Sequence, residues 1–242
     1  MSAIRYRRSD IRKRDRFRDR GPTSQNPHPC KTGKDAAPAL FHQGRRLALG
    51  ATPAENSRMA HQLTTSHLKD SIDLFRYYKR LTERAIEQCP DEGLFTVIDN
   101  ESNSIAIIVK HMAGNMRSRW TDFLTSDGEK PDRQRDTEFE EPPKTRAELL
   151  ALWEQGWKIL FDALEPLTDA DLARTVTIRT EPHSVTQAIN RQIAHYSYHL
   201  GQITFLAKHF AAKSGHWTAI TVPRKKSAEF NARVASGQAS QR

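Results

Sequence analysis

From Ser66 onward, apolar side chains return every three to four positions: Leu68, Ile72, Phe75, Tyr78, Leu81 and Ala85. That spacing predicts an amphipathic helix, with Ser66 as its N-cap and an end before Pro90. A second stripe, Ile105, Ile108, Val109, Met112, Met116, Trp120 and Phe123, predicts a helix from about Asn103 to Leu124. Between Thr125 and Pro143 the chain is polar and carries Pro131, Pro142 and Pro143, which predicts a long loop. Thr145 and Glu148 then form a capping-box pattern ahead of Leu149, Leu152, Trp153, Trp157, Leu160, Phe161 and Leu164, and Pro166 stops that helix. The β-branched run Thr175-Val176-Thr177-Ile178 predicts a short extended segment. A fourth helix is expected from Ser184 to about Ala211, with Ala188, Ile189, Ile193, Tyr196, Leu200, Ile203, Leu206 and Phe210 on one face. Tyr196 falls on its core side and Tyr198 on its surface or interface side.

Four helices of about twenty residues, each with a single apolar stripe, bury those stripes most simply as an all-α four-helix bundle. The second connection exceeds the usual hairpin length and is expected to cross the end of the bundle. Three regions follow. Residues 1–58 form an arm, 59–215 the bundle, and 216–242 an extension in which Trp217 and Ile220 fold back on the body and the end frays after Ser236.

Charge sharpens this division. The chain has 242 residues and a formal net charge of +9, yet residues 1–58 hold 14 Lys and Arg against 5 Asp and Glu, and the remainder is balanced. The arm has too little apolar surface to offset ordering entropy and is expected to be disordered. A nucleic-acid partner is therefore expected, if at all, only through the arm, because the neutral body lacks the electrostatic footprint. Met59 directly precedes the first patterned segment, so a translation start there is a further expectation, with residues 1–58 then outside the protein. No apolar run approaches the ~20 residues that span a bilayer, and the basic N-terminus lacks a secretory core, so no membrane partner and a cytoplasmic location are expected. Cys30 and Cys89 form neither a CxxC pair nor a disulfide framework, in keeping with a reducing compartment.

The chemistry concentrates on two helices. His195 and His199 stand at i and i+4, one turn apart on the same side of the fourth helix, a spacing that can chelate one metal. The pair alone is weak evidence, since surface histidines meet at that spacing by chance. His111 strengthens it, lying mid-helix beside the buried positions Ile108 and Met112, where an imidazole costs energy without a partner. If the second and fourth helices are neighbours, His111, His195 and His199 supply three neutral imidazoles and leave a vacant position, as catalytic divalent sites do. Asn115 and Arg119 follow His111 at i+4 and i+8 and can position a substrate; Gln192 and Gln202 flank the histidine pair and can orient a ligand imidazole. His183, just before the helix start, reads as a loop or cap residue. Phosphate-binding glycine motifs, GxSxG, HExxH and the Glu-x-x-His pairs of di-iron bundles are all absent from the sequence.

One histidine midway along the second helix and HxxxH on the last resembles the DinB/YfiT-like metal-binding four-helix bundles. The segments Asn103–His111, Arg119–Thr125, His195–Ile203 and Ser227–Asn231 resemble more specifically the bacterial branch of unknown function in that superfamily, over about residues 65–232. The resemblance implies an up-down-down-up bundle, a homodimer in many members, and a divalent metal on His111, His195 and His199, with zinc or nickel suiting imidazole. It also implies a low-molecular-weight thiol cosubstrate in the enzymatic members, which transfer or isomerise through a metal-activated thiolate. Pro223-Arg224-Lys225 departs from the family pattern, which has a glycine after Pro-Arg. Two readings follow. One is a metal-dependent enzyme that activates a thiol or water toward a small-molecule electrophile, with Asn115 and Arg119 positioning the substrate. The other is a non-catalytic bundle whose metal site is structural and which binds a partner.

Overall fold

The computed structural model describes residues 66–240. The basic arm at 1–58, the start at Met59 and Cys30 lie outside the described residues. In chain order the elements are α1 (His67–Gln88), α2 (Asp91–Phe95), α3 (Ile105–Trp120), α4 (Arg146–Leu164), β1 (Thr175–Ile178), β2 (Glu181–Ser184), α5 (Val185–Lys213) and α6 (Ser227–Ala235). Short 3-10 turns occupy Asp136–Phe139 and Asp169–Ala173. Among the described residues no helix is long and apolar enough to cross a membrane.

The four long helices start where hydroxyl side chains can satisfy orphan backbone donors. Ser66, Ser104, Thr145 and Ser184 each accept from the amide three residues on. At α5 the box is complete, since Gln187 Oε1 accepts from the Ser184 amide at 2.8 Å. At α4 the reciprocal bond lands one residue early: Glu148 accepts from Lys144 rather than from Thr145. α3 stops at Trp120, short of the expected Leu124. Asp122 turns into positive φ, 47°, and its carbonyl accepts from the amides of Thr125 and Ser126, which closes the chain into turns.

Contacts along the helices fix their directions. Arg76, near the middle of α1, pairs with Glu165 beyond the end of α4, and Arg146, at the start of α4, bonds Ile86 and Cys89 at the end of α1, so these two run antiparallel. Gly93, ahead of α3, lies against Phe210 near the end of α5, and Gly128, beyond the end of α3, bonds Thr177 ahead of α5, so α3 and α5 are antiparallel too. Met116 and Ala113 lie against Gly156, where a Cβ would come within 3.1 Å of the Ala113 backbone; farther on, Trp120 shares a groove with Ile159 and Ala163. α3 and α4 are therefore parallel, and the bundle is up-down-down-up. Parallel neighbours cannot be joined by a tight hairpin, so residues 121–145 return along the bundle as a long crossover.

Phe75, Trp120, Trp153, Trp157 and Tyr196 meet in the interior, with ring centroids such as Phe75–Tyr196 5.8 Å and Trp153–Trp157 5.4 Å apart. Tyr196 is wholly buried and Tyr198 is exposed, as their positions on the helix predict. Thr175–Ile178 is extended and pairs with Glu181–Ser184 in a hairpin, so His183 is a strand residue rather than a loop or cap. The hairpin turns through Arg179 and Thr180, both at positive φ (56° and 65°), the geometry of a two-residue turn that usually takes Asn-Gly. Asp127 holds it by accepting from both turn amides at 2.8 and 2.7 Å. Beyond α5, Ile220 is buried in the core and its carbonyl accepts from Arg84 at 2.7 Å, and the half-buried Trp217 packs against the same core. Lys225 sits at φ 65° in a turn closed by the Lys226 amide on Pro223, so the turn forms with lysine where glycine is favoured. Ser227–Ala235 is helical, an element that hydrophobic periodicity alone did not predict.

Candidate metal centre

His111 occupies the middle of α3, and His195 and His199 lie one turn apart on α5. Antiparallel packing brings the three rings together across the seam. His195 Nε2 is 3.4 Å from His111 Nε2 and 3.0 Å from His199 Nε2. One ligand atom from each of the three lies within 4.8 Å of the others, so the group can hold a metal ion. Imidazole nitrogens bound at about 2.0–2.1 Å to one divalent ion stand roughly 3 to 3.4 Å apart, which matches the two measured separations.

The outward nitrogens are fixed by neighbours. His111 Nδ1 donates to Glu138 Oε2 at 2.8 Å, and His199 Nδ1 donates to Gln202 Oε1 at 2.8 Å. With their protons held there, both rings turn bare Nε2 lone pairs toward His195. His195 has a single Nε2 proton to offer, so at least one buried acceptor stays without a donor of its own. A cation at the convergence point would satisfy all three lone pairs, and the donor set therefore fits a metal. Burial holds His195 well below its ordinary value, to about 3, and the guanidinium groups of Arg119 and Arg133 push it the same way. Burial also lowers His199, against the hydrogen bond to Gln202, so both rings are neutral, as ligands must be.

Glu138 comes from the crossover, in the 3-10 turn Asp136–Phe139. Arg133 grips it through Nε to Oε1 at 2.8 Å and Nη2 to Oε2 at 2.9 Å. Burial alone would raise the Glu138 carboxyl, but the bonds from His111 and Arg133 hold it below its usual range and therefore ionised. Lys110, next to His111, donates to the carbonyls of Thr137, Glu140 and Glu141, and Phe139 stacks on the His111 ring at 4.7 Å. The turn is thus clamped over the histidine from both sides. Gly114 makes room for it: a Cβ there would stand 2.5 Å from Glu138 Oε1.

Asn115 and Arg119, the residues expected to position a substrate, are both buried and line a cavity beside His111 and His195. The Asn115 Oδ1 accepts from the Tyr196 hydroxyl, which accepts in turn from Trp120 Nε1. Arg119 is anchored to the crossover, donating to the Gly128 carbonyl and to Glu129. Gln192 lines the same cavity but does not orient a histidine, whereas Gln202 does. His183 is not among the clustered histidines. Sequence reasoning missed Glu138 and Arg133, because the acidic stretch Asp136–Glu141 has no periodicity to mark one carboxylate out; the buried His111 was the sole hint that a partner must exist.

The family model described as a protein of unknown function (DUF1572) matches residues 62–226. No curated protein and no solved structure matches the chain.

Proposed function

We propose that this chain, which belongs to the DUF1572 family of proteins of unknown function, is a divalent-metal-dependent enzyme of the DinB-like superfamily acting on a small electrophile. The observation that carries this reading is the convergence of three imidazole Nε2 atoms, with the outer nitrogens of His111 and His199 tied to Glu138 and Gln202. His111, His195 and His199 would hold the ion, zinc or nickel. A divalent ion on three neutral imidazoles keeps its full charge and open positions, and so acidifies a thiol or water bound there.

The chain's own residues do the rest. Glu138 keeps the proton on His111 Nδ1, with Arg133 keeping Glu138 ionised and aimed. Gln202 does the same for His199. Asn115, its oxygen engaged by Tyr196, has its amide nitrogen left to meet a substrate in the adjoining cavity. The attacking group would be a low-molecular-weight thiol or water, and the reaction a thiol transfer or a hydrolysis.

The test is elemental mass spectrometry on the full-length protein purified without a histidine tag, beside His111→Ala. About one transition metal per chain, lost in the variant while its circular dichroism stays helical, supports the site. Metal present with no turnover across thiols and electrophiles, and a lowered melting temperature on chelation, would leave the metal a structural role.

A further inference from the structure

Beside the histidine cluster is a cavity of about 250 Å³ whose lining contains no carboxylate. Five arginines converge on it from different parts of the chain: Arg119 from α3, Arg133 and Arg135 from the crossover, Arg179 from the hairpin turn and Arg191 from α5. Ion pairing does not neutralise them. Glu129 is shared among Arg119, Arg133 and Arg179 at 3.0, 3.2 and 3.1 Å. Glu138 serves Arg133 and also His111. Asp136, almost wholly exposed, reaches Arg135 only at 3.8 Å. Among the described residues Arg191 has no ion pair at all. Three carboxylates thus serve five guanidinium groups.

Two buried donors in the same lining also lack partners. Gln192 is 2 % exposed and Arg119 is 5 % exposed, yet Gln192 Nε2 and Arg119 Nε bond to nothing. Buried donors without acceptors are costly and rare, and both call for an acceptor that the chain does not provide. The hairpin adds a third sign. Arg179 is delivered by a turn with two non-glycine residues at positive φ, a conformation kept because Asp127 pins both amides.

We propose that this cavity binds the oxyanion group, carboxylate or phosphate, of a small substrate, holding it on Arg191, Arg179 and Arg135 with its other end at His111 and His195. The orientation rests on the metal-site reading above, while the arginine subsite rests on its own geometry. A guanidinium fork suits planar, bidentate capture of either anion.

The test uses full-length protein, as purified with its metal content measured and again after chelator stripping. Calorimetric titration with inorganic phosphate, succinate and the neutral analogue succinamide gives the affinities. Both anions should bind to both preparations and succinamide should not. Arg191→Gln should weaken anion binding tenfold or more, and Arg135→Gln less so, with unfolding midpoints unchanged; Lys158→Gln, exposed on α4 and outside the cavity lining, should leave it intact. Tighter phosphate than succinate identifies a phosphate ester, and the reverse an organic acid. Binding that ignores Arg191→Gln and Arg135→Gln, that disappears on stripping, or that succinamide matches would overturn the proposal. Arginine-dependent anion binding by protein that carries no metal as purified and takes up no added zinc or nickel would sink the metal reading alone. Bound metal without arginine-dependent anion binding would sink the subsite alone.

Discussion

Between α1 and α4 the bundle is filled by Phe75, Trp153 and Trp157, and charge is kept to the rim, where Lys79 pairs with Glu83 and Glu154. Between α3 and α5, against the same aromatic cluster, His111, Asn115, Arg119, Gln192 and His199 are all buried. The two seams are held by different means. The first is held by shape, so removing volume there is costly while chemistry is nearly irrelevant. The second is held largely by hydrogen-bonded polar groups, and its energetics depend on which partner remains when one is taken away. A bundle with an aromatic interior of this kind can devote its second seam to chemistry.

The largest expected effect breaks the first seam. Trp157→Ala should cost about 3–5 kcal/mol in urea unfolding of metal-free protein, while metal bound per folded chain stays the same. A loss below about 1 kcal/mol would mean that the aromatic cluster is not the stabilising half. In the polar seam, Glu138→Gln should lower metal affinity roughly 10- to 100-fold, read by competition with a chromogenic chelator. Gly114→Ala tests the same bond from the other side. Glycine to alanine in a helix normally gains about 1 kcal/mol, but here the new Cβ meets Glu138, so metal affinity should fall several-fold.

Acid should also separate the two seams. An unfolded histidine titrates near 6.5, whereas burial holds His195 down to about 3. Between those values the unfolded chain takes up a proton that the folded chain refuses. Stability from this group is therefore present above pH 6.5 and is lost as pH falls toward 3. In metal-free protein, His195→Gln should flatten that part of the stability curve, and Trp157→Phe should shift it without changing its slope. The smallest effect is expected where the seams are alike. Ser184→Ala on α5 removes a cap bond and should cost about 1 kcal/mol, and Ser66→Ala on α1, whose hydroxyl also donates to Asp169, should cost slightly more; equal losses would show that the Asp169 bond adds nothing.

Much of this was legible before any coordinates. Stripes at three-to-four spacing located the four long helices, and Ser66, Thr145 and Ser184 marked starts, because periodicity and capping are local. The approach of His111 to HxxxH required only that the two helices be neighbours. What escaped was non-local. Glu138, Arg133, Arg135, Arg179 and Arg191 come from the crossover, the hairpin turn and α5, and no spacing joins them. Arg119 was singled out by position on the helix, but its anchorage to Gly128 and Glu129 depends on a return path that polar, proline-bearing sequence does not encode as a pattern.

That return path has an evolutionary consequence. Because α3 and α4 run in the same direction, the chain has to travel back beside the histidines, and in doing so it deposits Glu129, Arg133, Arg135 and Glu138 there. The helices contribute the metal-binding histidines, and the crossover contributes much of what surrounds them. Substrate preference in such a scaffold can therefore diverge by exchange of a single contiguous stretch, with the aromatic interior and the histidine triad inherited unchanged.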